Sequence, residues 1–76
     1  MKDENKIYLQ ESHVKVYRFI EKYMKKKVIA PEILEIAKAA KLTDRHVYRI
    51  LDDLQQLGYI SRGGYAKRAI KIEKEL

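Results

Sequence analysis

The fold class this sequence predicts is mainly α with a small β-hairpin: a three-helix core followed by a two-stranded wing. Three observations predict it. Apolar residues recur at spacings of three and four in three separate segments, each bounded by residues that start or stop helices. The period switches to two after Gly58. A Gly63-Gly64 pair then separates two short strand-like runs. A chain of 76 residues has room for one such domain, so residues 1–76 are expected to form a single unit.

Taken in order, residues 1–6 (MKDENK) are polar and without periodicity, as in a frayed start. Ile7, Tyr8 and Leu9 are consecutive apolar residues that fit either a strand-like arm or the lead-in to a helix. Residues 11–26 read as the first helix, with Val16, Phe19, Ile20 and Tyr23 on one stripe and Ser12 as N-cap. Basic residues crowd its C-terminal end, where the helix dipole is negative. Residues 27–30 read as a connector with a very short strand, because Val28 and Ile29 are β-branched and the residue before Pro31 is driven to extended backbone. Pro31 fits the first position of a second, short helix over residues 31–40, whose buried stripe is Ile33, Ile36, Ala37 and Ala40. Thr43 or Asp44 caps a third helix that runs to about Leu57. Its apolar positions are Val47, Ile50, Leu51, Leu54 and Leu57, and Gly58 stops it. The hairpin follows: residues 59–62, a loop over 63–67, and 69–73, where Ile70 and Ile72 share a face and Tyr59 packs back on the third helix.

The composition narrows the chemistry. An apolar share of 46% is normal for a folded domain, which argues against disorder. With no Cys, disulfides and thiolate metal sites are excluded. No apolar run reaches the ~18 residues a bilayer demands, so no membrane partner and a cytosolic setting are expected. Seventeen Lys and Arg against eleven Asp and Glu give +6, a balance that suits a polyanion. Residues 1–29 carry net +4, residues 30–60 net −1 and residues 61–76 net +3. An electrostatic surface must therefore be assembled by folding the two ends together.

Catalytic constellations are poorly supported. The two imidazoles, His13 and His46, fall on different elements, and Ser12 beside His13 is not placed for base activation. Two separate histidines give no metal-ligand spacing. Gly63-Gly64 lies in a hairpin and not before a helix, so it cradles no phosphate. No enzyme activity, cofactor or small-molecule ligand is expected.

A short helix joined by a tight turn to a longer one is a helix-turn-helix, and a hairpin directly after it makes the winged version. A major groove about 12 Å wide admits one helix, leading with its N-terminal turns. In the third helix the residues off the apolar stripe at that end are Asp44, Arg45, His46, Tyr48 and Arg49. Arg45 and Arg49 share a face and suit the O6/N7 edge of guanine. His46 suits a base edge or a phosphate, and Tyr48 a phosphate through its hydroxyl. Thr43 joins them as a capping contact. Asp44 repels phosphate and is better read as a cap or an acceptor from cytosine. At the hairpin, Arg62, Gly64, Tyr65, Lys67 and Arg68 surround a thin glycine turn suited to phosphates or a neighbouring minor groove. The plainer readings stand beside these: an Arg or Lys on an exposed helix is commonly just solvated, and Tyr17 and Tyr23 are core or rim. Lys25-Lys26-Lys27 is a solvated helix end, and Asp52, Asp53, Gln55 and Gln56 form a solvated helix face or meet a partner subunit.

The stretches FIEKYMKKK, PEILEIAKAAKLTDRHVYRILDDLQQLGYI and KRAIKI resemble bacterial winged-helix repressors, in particular the N-terminal domain of LexA repressors, across roughly residues 14–73. LTDRHVYRILDDLQQLGYI is equally similar to MarR-type winged-helix regulators. The resemblance implies that the start of the third helix reads bases while the wing touches backbone. Those roles fall on Arg45, His46, Tyr48 and Arg49, and on Arg62, Lys67 and Arg68. The turn before the third helix is one residue shorter than in LexA. No Ser-Lys self-cleaving region follows within these residues, so a damage-response switch is not implied. As a free-standing module the chain is similar to small regulators of phages and plasmids.

Three functions are therefore carried forward. The first is a sequence-specific double-stranded DNA-binding regulator, acting as a homodimer, with residues 7–9 and the C-terminal EKEL as dimer elements. The second is a replication or recombination accessory factor of a mobile element, stacking single strands on Tyr48 and Tyr65. The third is a winged helix used for protein contact.

Overall fold

Helix α1 spans Glu11–Lys27 and opens the fold; the computed structural model describes residues 8–27, 29–63 and 70–76. Its start differs from the expected one. Ser12 lies inside the first turn, and the turn is tied instead by His13, whose Nδ1 accepts the Gln10 amide at 3.1 Å. The buried face is His13, Val16, Tyr17 and Ile20, with Phe19 and Met24 half-buried beside it. That stripe is turned toward the N-terminus relative to the one expected, so Tyr17 is core and Tyr23 is rim.

The connector holds no strand among its described residues. The helix continues through Lys27, Ile29 is a bend, and Ala30 and Pro31 turn into the core. Pro31 precedes α2 (Ile33–Ala40) by two residues instead of opening it. The N-cap is Glu32, in extended backbone at φ −86° and ψ 162°. Its amide donates to Glu35 Oε1 at 2.8 Å, one half of a capping box. The same carboxylate accepts the Tyr23 hydroxyl at 2.8 Å, which ties α2 to α1.

The turn after α2 is a Schellman motif. Leu42 N–H donates to Ala37 C=O at 2.9 Å and Lys41 N–H to Lys38 C=O at 3.4 Å. Lys41 takes the left-handed conformation, φ 59° and ψ 47°, where glycine is usual. Thr43 then caps α3 (Asp44–Gln56), its Oγ1 accepting the His46 amide at 3.1 Å. Gly58 ends α3 as expected, at φ 87°, within a second Schellman motif: Gly58 N–H to Gln55 C=O at 3.0 Å and Tyr59 N–H to Leu54 C=O at 2.9 Å.

The hairpin pairs β1 (Ile60–Arg62) with β2 (Ile70–Ile72) antiparallel, in the register Ile60–Ile72, Ser61–Lys71 and Arg62–Ile70. Ile60 and Ile70 are buried and Ile72 is half-buried against the core, so the alternation expected for residues 69–73 holds where it is described. One core joins all elements: Val16, Tyr17 and Ile20 of α1, Ile36, Ala37 and Ala40 of α2, Val47, Ile50, Leu51 and Leu54 of α3, and Ile60 and Ile70 of the hairpin. Ala37 and Ala40 let α2 and α3 approach, and Leu42 packs under the turn. The architecture is a winged helix-turn-helix.

The C-terminal segment is part of this core. The Tyr17 hydroxyl donates to Lys74 C=O at 3.1 Å. Tyr59 is half-buried against the core; it meets Tyr17 edge-on at 6.3 Å between centroids, and Lys74 Nζ stands 4.6 Å over its ring. Leu76 packs half-buried on the same cluster. Among the described residues, no helix is long and apolar enough to cross a membrane.

Candidate nucleic-acid interface

Among the described residues, the N-terminal half of α3 brings cations, a hydrogen-bonding aromatic and a helix start together at solvent. The 3.6-residue period explains this. Burying Val47, Ile50, Leu51 and Leu54 turns Asp44, Arg45, His46, Tyr48 and Arg49 outward. Arg45 and Arg49 stand one turn apart with Tyr48 between them, and Tyr48 is 52% exposed. Among the described residues, no hydrogen bond or ion pair occupies the Arg45 or Arg49 guanidinium, so both forks are open to an outside acceptor. Thr43 is exposed, but its hydroxyl is engaged in capping, which makes it a device for starting the helix at this point.

Two further exposed cations that sequence reasoning passed over precede α3, Lys38 in α2 and Lys41 in the turn. Their signal was the net charge of the turn itself, which the near-neutral sum over residues 30–60 obscured.

Arg62 has a different environment. Its side chain is 29% exposed. Nε donates to Gln55 Oε1 at 2.9 Å, and the far end of the guanidinium pairs with Asp52 Oδ1. Asp52 and Gln55, two of the four residues expected on a solvated face of the third helix, thus hold the loop end of β1. Gly64, Tyr65, Lys67 and Arg68, expected at the hairpin tip, lie outside the described residues.

His13, which the sequence supports neither as a catalytic residue nor as a metal ligand, has a structural place. It is buried, and its Nε2 meets Asp53 Oδ2 at 2.9 Å. Because Nδ1 accepts from Gln10, Nε2 carries the proton and donates to Asp53. The pair anchors the start of α1 to the middle of α3. Its signal was present: residues 13, 16, 17 and 20 follow the same three-and-four spacing as the stripe that was chosen. Among the described residues, no three His, Cys, Asp or Glu side chains gather as metal ligands would.

Three helices, a tight turn and a hairpin with an outward, cationic leading end on the third helix define a winged helix-turn-helix module. The chain is 35% identical over 68 residues to the LexA repressor of Thermotoga maritima, and 36% identical over 66 residues to that of Thermosipho melanesiensis. These alignments take in 90% and 87% of this chain but 34% and 33% of the relatives, so the chain spans about a third of the length of the proteins it matches. The LexA repressor of Thermotoga petrophila is similar at 34% identity. No family model matches the chain. The chain is a LexA-like winged helix, homologous to the N-terminal region of those repressors.

Proposed function

We propose that this chain is the duplex-DNA-reading module of a transcriptional regulator. The N-terminal half of α3 enters the major groove, and the hairpin lies along the neighbouring backbone. One observation carries the reading: Arg45, His46, Tyr48 and Arg49 are exposed together at the capped start of a helix whose opposite face is wholly core. An α-helix with side chains is 10–12 Å across, which matches the major groove. Arg45 and Arg49 are the bidentate readers of guanine, Tyr48 donates to a phosphate, and His46 bonds a base edge or phosphate. Lys67 and Arg68 supply backbone contacts from the hairpin. The homology to proteins named repressors supports regulation by occupancy of a site.

A single winged helix buries roughly 600–1,000 Å² on DNA, a modest area, so the chain works as a homodimer on a two-fold site. Tyr8 and Leu9, 62% and 41% exposed, remain candidates for the dimer contact. The EKEL segment is the weaker candidate, because Lys74 and Leu76 pack on their own core.

Selection from a random duplex pool tests this. The expected product is a palindrome with half-sites one helical turn, about 10 bp, or a multiple apart. Affinity for it should fall steeply between 50 and 200 mM salt, with a slope of about −0.9 per phosphate neutralised. A preference for single strands would move the chain to the accessory-factor reading. Failure to enrich any sequence, with affinity unchanged in the paired variant Arg45→Ala/Arg49→Ala, would leave protein contact.

A further inference from the structure

We infer that Asp52 and Gln55 make Arg62 a strut that sets the hairpin's angle against the reading helix, so that Arg62 is a positioning residue and not a phosphate contact. The inference rests on the duplex-binding reading above. The geometry is specific. Arg62 closes β1, opposite Ile70 of β2, and Ile70 is buried. Ile60 and Ile70, with Ile72 and Tyr59 packed beside them, root the hairpin in the core. Arg62 adds a second attachment at the loop end of β1, outside that core. Its planar guanidinium spans one turn of α3, reaching Asp52 with one nitrogen and Gln55, three residues on, with another. Two bonds at two points of a rigid helix fix both distance and direction, which one bond does not.

The same geometry removes Arg62 from the pool of free cations. A phosphate competing for it must displace a carboxylate of equal charge and leave the Gln55 carbonyl unpaired. Arg45 and Arg49 face no such competitor. It also gives the acidic half of α3 a role. Asp52 lies on the duplex side of the helix, one and two turns beyond Arg49 and Arg45, where a bare carboxylate works against phosphate binding. Paired with Arg62, its charge is offset and its contribution is mechanical.

The test is a cycle of Asp52→Ala, Arg62→Ala, both together, and the charge exchange Asp52→Arg with Arg62→Asp. Two readouts are taken: backbone amide relaxation of β1 and β2 in the free protein, and duplex affinity as a function of salt. A strut predicts that both single changes and the double change loosen the hairpin alike. It predicts that each weakens binding by a similar three- to tenfold, without adding, and that the exchanged pair recovers most of the loss. The loss for Asp52→Ala is diagnostic, because removing a negative charge should by itself strengthen binding to DNA. The inference is overturned if Asp52→Ala binds as tightly as the parent or tighter while Arg62→Ala alone lowers the salt slope by about one phosphate. It is equally overturned if hairpin relaxation is unchanged in both single variants. Should the parent not bind duplex at all, the DNA reading fails, while the relaxation data still decide whether Arg62 holds the hairpin.

Discussion

The proposed role of Arg45 and Arg49 as base readers can be tested one base at a time. Both are exposed and unpaired among the described residues, so replacing either with Ala leaves the core untouched. Each change should relax discrimination at a single base position by about 1–3 kcal/mol, read by competition with duplexes altered one pair at a time. Lys41 illustrates the opposite case, where a side chain is kept at a cost to the backbone. It sits in the left-handed region at φ 59°, in the Schellman position that favours glycine. Lys41→Gly should therefore raise stability by about 1 kcal/mol, seen as a thermal midpoint higher by several degrees. Tyr17 links stability to alkaline pH. Burial, with Glu21 nearby, raises its phenol above the usual value. The folded state thus favours the neutral phenol. Its contribution is complete below about pH 10 and is lost as pH climbs through the raised value. Denaturation with urea at increasing alkaline pH should show a shallower decline for Tyr17→Phe than for the parent.

At the scale of elements, α3 is held from both sides: by the His13–Asp53 pair toward α1 and by Arg62 toward the hairpin. His13→Ala removes the bond to Asp53 and strips the Gln10 amide of its partner. The expected cost is about 1–3 kcal/mol in urea denaturation, with the transition slope unchanged. How far the sequence disclosed these elements depended on how local their causes are. Gly58 and Thr43 act within one turn of themselves, and both ends of α3 were legible from them. The Glu32 cap was hidden because Glu is an unusual cap residue and Pro31 beside it is a stronger signal. The phase of α1 was misjudged because Tyr17 and Phe19 are equally plausible inward residues. What decides between them is Tyr59 and Lys74, more than forty residues along the chain. The exposed start of α3 was readable in full, since it follows from its own period; the restraint on Arg62 was not, since it needs the hairpin and helix in register.

For the molecule as a whole, folding resolves the uneven charge of the chain. The neutral middle supplies the buried faces of α2 and α3, and three of its acids are used internally: Glu35 at the α2 cap, Asp53 on His13 and Asp52 on Arg62. The cations at the start of α3 stay in solvent, with Asp44 at the first position of the helix beside them. That division of labour is the central claim, and a titration of the labelled protein with its selected duplex, followed by backbone amide chemical shifts, tests it most directly. Shifts concentrated at residues 43–49 and in the hairpin, with the α1 face opposite them silent, are the predicted result. Large shifts confined to α1 or the C-terminal segment, with residues 43–49 unmoved at saturation, would contradict it.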